Sequence, residues 1–225
     1  MNFVCGNLIN SKIIDKTKHL TLIKNNEFSK DKQASNKAIF LDRDGVLIKD
    51  VHYISEPKDV LILEGVIDLI KLSKEQGFIN IIITNQSGIE RKLFNWEDYE
   101  IVTNRMLKLI NIQDCFNAIY ASGEGPSISS SKKSWRKPNP NMILKAAKDF
   151  NIDLTKSILI GDRYSDLLSG NKAGIFTLIH LLTGHGLKER ELIIKNYGNF
   201  DKNSNLYLLK DLNSLFIKKL LQNKS

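Results

Sequence analysis

Ile39-Phe40-Leu41-Asp42-Arg43-Asp44-Gly45-Val46-Leu47 decides how this chain reads. A short apolar run ends on two carboxylates one residue apart, followed at once by glycine. The run reads as a buried strand and Asp-x-Asp-Gly as the loop at its carboxyl end. Open α/β sheets bind ligands along that edge. Side chains two apart in extended chain point the same way, so Asp42 and Asp44 can address one point. Two carboxylates there repel each other unless a cation or a shared proton lies between them. Most Asp-Gly turns are solvated helix caps, so the stretch acquires meaning only from the rest of the chain.

Downstream, the pattern recurs. After a polar loop from Lys49 to Pro57, Val66, Ile67, Leu69, Ile70 and Leu72 predict an amphipathic helix ending before Gly77. Phe78–Ile83 predicts a second strand, with Thr84-Asn85-Gln86-Ser87-Gly88 as the loop beyond it. Trp96–Ile110 has helical spacing, and Phe116–Tyr120 predicts a third strand. Ala121–Trp135, rich in Ser and Gly, reads as a long loop closed by Arg136-Lys137-Pro138. Then come a helix over Met142–Phe150, a strand over Ser157–Ile160 ending in Gly161-Asp162-Arg163-Tyr164-Ser165-Asp166, and a short helix to Ala173. Phe176–Leu182 and Leu206–Leu209 predict two more strands, and Asp211 is expected to cap a last helix running to about Leu221. This alternation implies an α/β domain over residues 37–222, with a parallel sheet and helices on both faces. Residues 1–36 show no sustained period. They read as an extension open to disorder, in which Ile13-Ile14 and Leu20–Ile23 suit short strands or packing on the body.

The net charge of +8 is unevenly placed. Residues 1–38 carry +4, residues 184–225 carry +4, and the middle is neutral, so the core of the chain is not a polyanion-binding surface. Two cysteines, Cys5 and Cys115, exclude a disulfide framework and suit a reducing compartment. No apolar run approaches the ~20 residues of a membrane span, and the start of the chain lacks the pattern of a signal peptide. A cytoplasmic protein with no membrane partner is expected.

In a parallel sheet every carboxyl strand end lies on one edge, so Asp42 and Asp44, Thr84 and Asn85, Arg136 and Lys137, and Asp162 and Asp166 can converge. Their hard oxygen donors suit Mg²⁺ better than zinc or copper. A lysine beside them supplies fixed positive charge for a phosphoryl group, and the hydroxyl and amide of Thr84 and Asn85 can hydrogen-bond its oxygens.

The set resembles the haloacid dehalogenase superfamily. Asp42-Arg43-Asp44-Gly45-Val46 is similar to its first motif, Thr84 to the second, Lys137 to the third, and Gly161-Asp162 with Asp166 to the fourth, in the family's order. Within it, Phe40–Gly45, Thr84–Ile89, Arg136-Lys137-Pro138 and Thr183-Gly184 resemble the heptose-bisphosphate and histidinol-phosphate phosphatases. The resemblance implies a Rossmann-like domain and a Mg²⁺-dependent phosphomonoester hydrolase. It implies removal of the 7-phosphate of a heptose 1,7-bisphosphate on a route to surface polysaccharide. Asp42 would be the nucleophile that becomes an aspartyl-phosphate, and Asp44 the acid and then the base. Asp42, the backbone carbonyl of Asp44, and Asp162 would hold Mg²⁺, with Asp166 orienting that set. Thr84 and Lys137 would hold the phosphoryl oxygens, and Asp50, His52, Tyr53, Asn85, Gln86, Ser87, Arg136 and Arg163 would line the substrate site.

Two departures from the family stand out. Its zinc loop has Cys-x-His and Cys-x-Cys pairs where this chain has Ala121 and Gly123, then Lys133 and Trp135, so no zinc is expected. Arg163 stands where lysine is usual, which keeps the charge and changes the geometry. The stretches between Asp42, Thr84 and Lys137 are already filled by predicted helices, strands and loops, leaving no room for a large cap domain. The site is then open. The resemblance implies a small phosphorylated sugar as partner, and a monomer without nucleic acid is expected, although an open site would also admit a nucleic-acid end. The competing readings are a histidinol-phosphate phosphatase, a nucleic-acid 3′-phosphatase, which the basic ends favour mildly, and a non-catalytic sugar-phosphate-binding protein, against which the intact motif residues argue.

Overall fold

The computed structural model describes residues 35–126 and 133–223, together with the backbone of two strands at 11–15 and 19–23. Eight strands form one sheet: β1 (Ser11–Asp15), β2 (His19–Ile23), β3 (Ala38–Leu41), β4 (Ile79–Asn85), β5 (Ala118–Ser122), β6 (Ile158–Gly161), β7 (Thr177–Leu181) and β8 (Asn205–Leu209), in spatial order β1-β2-β5-β4-β3-β6-β7-β8. The six strands from β5 to β8 run parallel, and the β1–β2 hairpin adds to β5 antiparallel. Six α-helices pack around them: α1 (Val66–Glu75), α2 (Trp96–Ile110), α3 (Asn141–Phe150), α4 (Tyr164–Ala173), α5 (Gly186–Lys195) and α6 (Leu215–Asn223).

The central strands are apolar on both sides because both sides are covered. In β3, Ala38 and Phe40 face the core beneath α3 and α4, while Ile39 and Leu41 face the core beneath α1, α2 and α6. β6 divides the same way, with Leu159 on one side and Ile158 and Ile160 on the other. Phe40 pairs with Ile81 of β4 and Leu159 of β6, so three strands reach the carboxyl edge level with one another. Chain entry into α2 is fixed by a capping box: the Asp98 N–H donates to the Asn95 side chain at 3.0 Å, and the Asn95 N–H donates back to Asp98 at 2.9 Å. Among the described residues, only the loop before α1 separates that helix from β3, and only the loop over residues 86–95 separates β4 from α2. No cap domain intervenes, and the site lies open at the sheet edge.

Several boundaries differ from the sequence reading. β4 continues through Thr84 and Asn85, which are strand residues rather than loop residues. β5 starts and ends two residues later than expected, because its register with β4 pairs Ala121 with Thr84 and Ser122 with Asn85. Asp211 does not cap α6. Its carboxylate accepts from the Asn213 N–H, while Ser214 accepts from the Phe216 N–H at the helix start. Helix α5 was not anticipated: Leu187, Leu192 and Ile194 are exposed and Ile193 is buried, so its sequence shows no apolar stripe. Of the extension, the strands at 11–15 and 19–23 join the sheet. Its other residues up to 34 lie outside the described residues, as do 127–132 of the long loop.

Candidate active site

The floor of the site is a knot of charge at the carboxyl edge. Asp42 follows β3, Asp162 follows β6, Asp166 stands in the first turn of α4, and Lys137 comes from the loop ahead of α3. All four are buried. The Lys137 ammonium lies 2.9 Å from Asp42 Oδ1 and 2.8 Å from Asp166 Oδ1, and it donates to the Ile83 carbonyl at 2.9 Å. Its three donors are thus used, and its backbone is clamped by Asn85: the Lys137 N–H donates to Asn85 Oδ1 at 2.9 Å, and Asn85 Nδ2 donates to the Lys137 carbonyl at 3.1 Å. The extra residues of β4 therefore position the lysine. The other carboxylate oxygen of Asp166 accepts from the Arg163 N–H at 3.0 Å, at a helix N-terminus where negative charge is favoured.

Asp162 is held from the other side. Its Oδ2 accepts from the His185 N–H at 2.7 Å, and Gly45 and Gly184 close over the carboxylate. A Cβ on either glycine would sit 2.4 or 2.3 Å from Asp162 Oδ2, and both have positive φ, so neither place admits a side chain. The Asp162 carbonyl accepts from His180 Nε2 at 2.9 Å, because His180 Nδ1 is itself an acceptor for Arg190 Nε at 2.8 Å. That pairing assigns the neutral tautomer, in keeping with a His180 pKa pushed down to about 4 by burial.

Burial is also the largest influence on the floor carboxylates. It lifts Asp42 to about 7, against the pull of Lys137 and with a further push from Asp166 and Asp44. Asp162 is raised well above the usual range, again by burial first and then by Asp166 and Asp42. Burial alone would lower the Lys137 pKa, but Asp166 and Asp42 more than offset it, and the net shift is upward. Three buried carboxylates against one ammonium leave uncompensated negative charge. Oxygens of Asp42, Asp162 and Asp166 lie within 4.8 Å of one another, and Asp162 Oδ1 is buried without a hydrogen-bond partner. An all-oxygen donor set with an orphaned carboxylate oxygen fits a hard divalent cation such as Mg²⁺. The cluster holds the two carboxylates expected to bind the cation, Asp42 and Asp162, together with Asp166, which was expected to orient them; Asp44 was expected to contribute its backbone carbonyl, not its carboxylate.

The Asp44 carboxylate turns instead toward Arg43 and Gln86. Arg43 Nη2 lies 3.0 Å from both carboxylate oxygens, and Gln86 Nε2 donates to Oδ2 at 2.9 Å. Arg43 is buried over the Tyr99 ring, 4.8 Å from its centroid, so it serves as a scaffold for Asp44. Gln86 Nε2 also lies 2.7 Å from Thr84 Oγ1, which places Thr84 beneath the cavity wall. The Asp44 side chain is 24 % exposed against 9 % for Asp42, and Asp44 opens into the cavity.

That cavity has a volume of about 310 Å³, and Asp42, Asp44, Lys137 and Asp166 reach its floor. Of the expected substrate residues, Asp50, His52, Tyr53, Asn85, Gln86, Ser87, Arg136, Lys137 and Arg163 line it, whereas Thr84 does not, nor does Asp162, expected as a metal ligand. His52 and Tyr53 hold consecutive left-handed conformations, at φ 57° and 60°, strain on the order of 1 kcal/mol each. An Asx turn, from the His52 N–H to Asp50 Oδ1 at 2.9 Å, keeps them there. Arg136, Arg163 and Arg91 form a basic rim. The Arg136 pKa is lowered, by burial first and then by its neighbours Arg163 and Arg91.

Sequence reasoning missed Arg91, which lines the cavity and stacks 5.5 Å over Tyr53, and His185, whose Nε2 meets Asp50 Oδ2 at 2.9 Å. Arg91 lies just past Thr84–Ile89, so a cation on that turn was the available signal. His185 has no local signature beyond its place after Thr183-Gly184.

A family model described as haloacid dehalogenase-like hydrolase matches residues 4–179. The chain is 38 % identical over 156 residues to a Helicobacter pylori strain J99 protein named D-glycero-beta-D-manno-heptose-1,7-bisphosphate 7-phosphatase, covering 68 % of this chain and 87 % of that one. It is 37 % identical over 159 residues to the alpha-anomer enzyme of Photorhabdus laumondii, covering 68 % and 86 %. A crystal structure of D,D-heptose 1,7-bisphosphate phosphatase from B. bronchiseptica, complexed with magnesium and phosphate, superposes with a TM-score of 0.70 at 26 % identity, over 83 % of this chain and 99 % of that one. With its motif residues gathered at one sheet edge and a family model matching most of its length, this chain belongs to the haloacid dehalogenase-like hydrolases.

Proposed function

We propose that this enzyme is a Mg²⁺-dependent phosphatase that removes the 7-phosphate of D-glycero-D-manno-heptose 1,7-bisphosphate, on a route to nucleotide-activated heptose and surface polysaccharide. The observation that carries the reading is the pairing of an acidic, lysine-bridged floor with a rim of three arginines around one cavity of about 310 Å³. A cation on the floor and a phosphoryl group above it would neutralise the carboxylates, and a second phosphate would meet the rim. The relatives named for this substrate are similar over two thirds of the chain.

In this reading an Asp42 carboxylate oxygen attacks phosphorus in line, and the sugar oxygen leaves. Lys137 holds Asp42 in place and faces the transferred group with fixed positive charge. Asp44, opening into the cavity, gives its proton to the leaving oxygen and then takes one from the water that hydrolyses the aspartyl-phosphate. Asp42, Asp162, Asp166 and the Asp44 carbonyl would hold Mg²⁺, which when bound neutralises charge on the phosphoryl oxygens. Asn85 and Gln86 act by fixing Lys137 and Asp44. Thr84 Oγ1 accepts from Gln86 Nε2 and helps to fix that amide, while its O–H stays available as a donor.

The catalytic unit in this proposal is residues 37–222, with 1–36 as an appended segment. In this proposal the enzyme acts as a monomer. No described helix is long and apolar enough to cross a membrane. We infer a cytoplasmic setting from the two cysteines of the sequence, too few for a disulfide framework.

A phosphate-release panel tests the reading. The heptose bisphosphate should give the highest kcat/KM, releasing one phosphate per molecule, ahead of histidinol phosphate and a 3′-phosphorylated oligonucleotide. Preference for either of the other two overturns the substrate assignment.

A further inference from the structure

Among the described residues, one buried carboxylate outside the reaction centre gathers four donors on a single oxygen. Glu124, two residues past β5, is 5 % exposed. Its Oε2 accepts from Ser134 Oγ at 2.7 Å, the Trp135 N–H at 2.8 Å, the Arg136 N–H at 3.2 Å and Ser122 Oγ at 3.2 Å. The Glu124 carbonyl accepts from Arg136 Nη1 at 2.9 Å. Ser134 adds to the knot, its Oγ accepting from the Arg136 N–H at 3.1 Å and its carbonyl accepting from Asn141 Nδ2 at 2.8 Å.

These bonds join both ends of the long loop and hold Arg136 at its main chain and its guanidinium. A buried charge costs several kcal/mol unless donors surround it. Here two backbone N–H groups and two hydroxyls do so, which is the arrangement of an anion site built for a carboxylate. Arg136 would otherwise be a long side chain on an exposed loop, losing rotamer freedom each time it met a ligand. Pinned from behind, it is already aimed at the cavity.

We propose that Glu124 is a positioning residue for specificity: it touches no substrate, and through Arg136 it sets the selectivity for a bisphosphate over a monophosphate. The inference rests on the proposed phosphatase activity and adds the residue that makes its rim rigid.

The test is a double-mutant cycle of Glu124→Gln and Arg136→Ala, assayed on heptose bisphosphate and on para-nitrophenyl phosphate. Glutamine keeps the size and removes the charge that gathers the donors. We expect KM for the bisphosphate to rise roughly tenfold with kcat changed less than about twofold, and kcat/KM for the monophosphate to stay within about twofold. In the Arg136→Ala background, Glu124→Gln should add no further loss, since the effect travels through that arginine. Equal losses on both substrates, or additive losses in the double variant, would reduce Glu124 to a fold-stabilising residue and overturn the proposal. Amide hydrogen exchange over residues 133–137 is a readout that needs no substrate: protection should fall in Glu124→Gln, and unchanged protection also overturns it. Should Glu124→Gln fold poorly, Ser134→Ala removes one donor to Glu124 and one acceptor for the Arg136 N–H, and should shift the same KM in the same direction by a smaller factor, with no shift counting against the proposal. A wild-type enzyme inactive on the bisphosphate would sink the substrate assignment alone, leaving the exchange result to judge the knot.

Discussion

The floor and the rim of the cavity are built on opposite plans. On the floor, Lys137 has all three donors committed, to Asp42, Asp166 and the Ile83 carbonyl, and its backbone is clamped by Asn85. At the rim, Arg163 stands 3.8 Å from Asp50 and Arg91 rests on the face of Tyr53. The floor carries excess negative charge in a dry setting, and the rim carries positive charge near solvent. The difference separates two tasks. Groups that change charge during reaction must not reorganise, so they are over-determined before substrate arrives. Among the groups that recognise the rest of the substrate, Arg136 is held in advance by Glu124, whereas Arg163 and Arg91 can be completed by the substrate.

The sharpest way to break this division is at the nucleophile. Asp42→Asn can keep its hydrogen bond to Lys137 through the amide oxygen, yet it cannot form an acyl phosphate. Turnover should fall below detection while circular dichroism stays unchanged, and substantial residual activity would remove Asp42 from its role. Metal follows the same logic: activity should vanish on chelation and return with Mg²⁺, with no stoichiometric zinc in the purified protein. One zinc per chain would show that the loop holds a metal by other ligands.

Removing the bridging lysine attacks the floor's construction. Lys137→Met leaves Asp42 and Asp166 buried without their cation, which should destabilise the metal-free protein by about 3–5 kcal/mol, lowering Tm by roughly 10 °C. The pH dependence has a definite sign. A carboxyl whose folded pKa is raised holds its proton more tightly when folded, so its cost to stability appears as pH climbs above 3.8 and is complete above the folded value, about 7 for Asp42 even with the lysine present. Losing Lys137 pushes that value higher, so the deficit should be largest at neutral pH and above and should shrink toward pH 5. Thermal melts across that range check it, and a pH-independent deficit would point to lost packing instead.

The rim gives a smaller and selective effect. If a second phosphate meets Arg136, Arg136→Ala should cost the bisphosphate about 1.5–3 kcal/mol more than a monophosphate, a ten- to hundredfold selective fall in kcat/KM. Equal losses on both substrates would mean that the arginine only holds the loop.

The contrast also explains what was legible in the sequence. Asp42, Asp162 and Asp166 were found because each sits at a short offset from an apolar run, and the sheet turns that offset into position, whereas Lys137, at the end of a long loop, was found through the resemblance of Arg136-Lys137-Pro138 to the family's third motif. The roles of Thr84 and Asn85 were harder to see, because extending β4 by two residues makes one a wall residue and the other a clamp on Lys137. Glu124 was passed over, since a glutamate in a Ser/Gly-rich loop gives no sign of burial until Ser134, Trp135 and Arg136 fold back onto it. The same limit hid α5, whose exposed leucines erase the period that a buried face would print.

The smallest effect on chemistry is expected at the far edge of the sheet, and it tests whether the division extends there. β2 pairs with all of β5, from Ile23 opposite Ala118 to His19 opposite Ser122, and Ser122 is the residue from which the chain turns to Glu124. A chain starting at Ser35 would lose this hairpin and bare the β5 edge, whose unpaired N–H and C=O groups invite association between molecules. The floor is fixed by β3, β4, β6 and α4, none of which pairs with the hairpin, so kcat/KM toward para-nitrophenyl phosphate should stay within about twofold. The bisphosphate is the finer probe. If β5 needs its outer neighbour to hold Ser122, truncation should raise KM for the bisphosphate alone, as loosening the Glu124 knot would, and light scattering should show greater self-association. A large loss on the small ester, with folding intact, would mean instead that the N-terminal segment reaches the cavity, and the separation of floor from rim would have to include it.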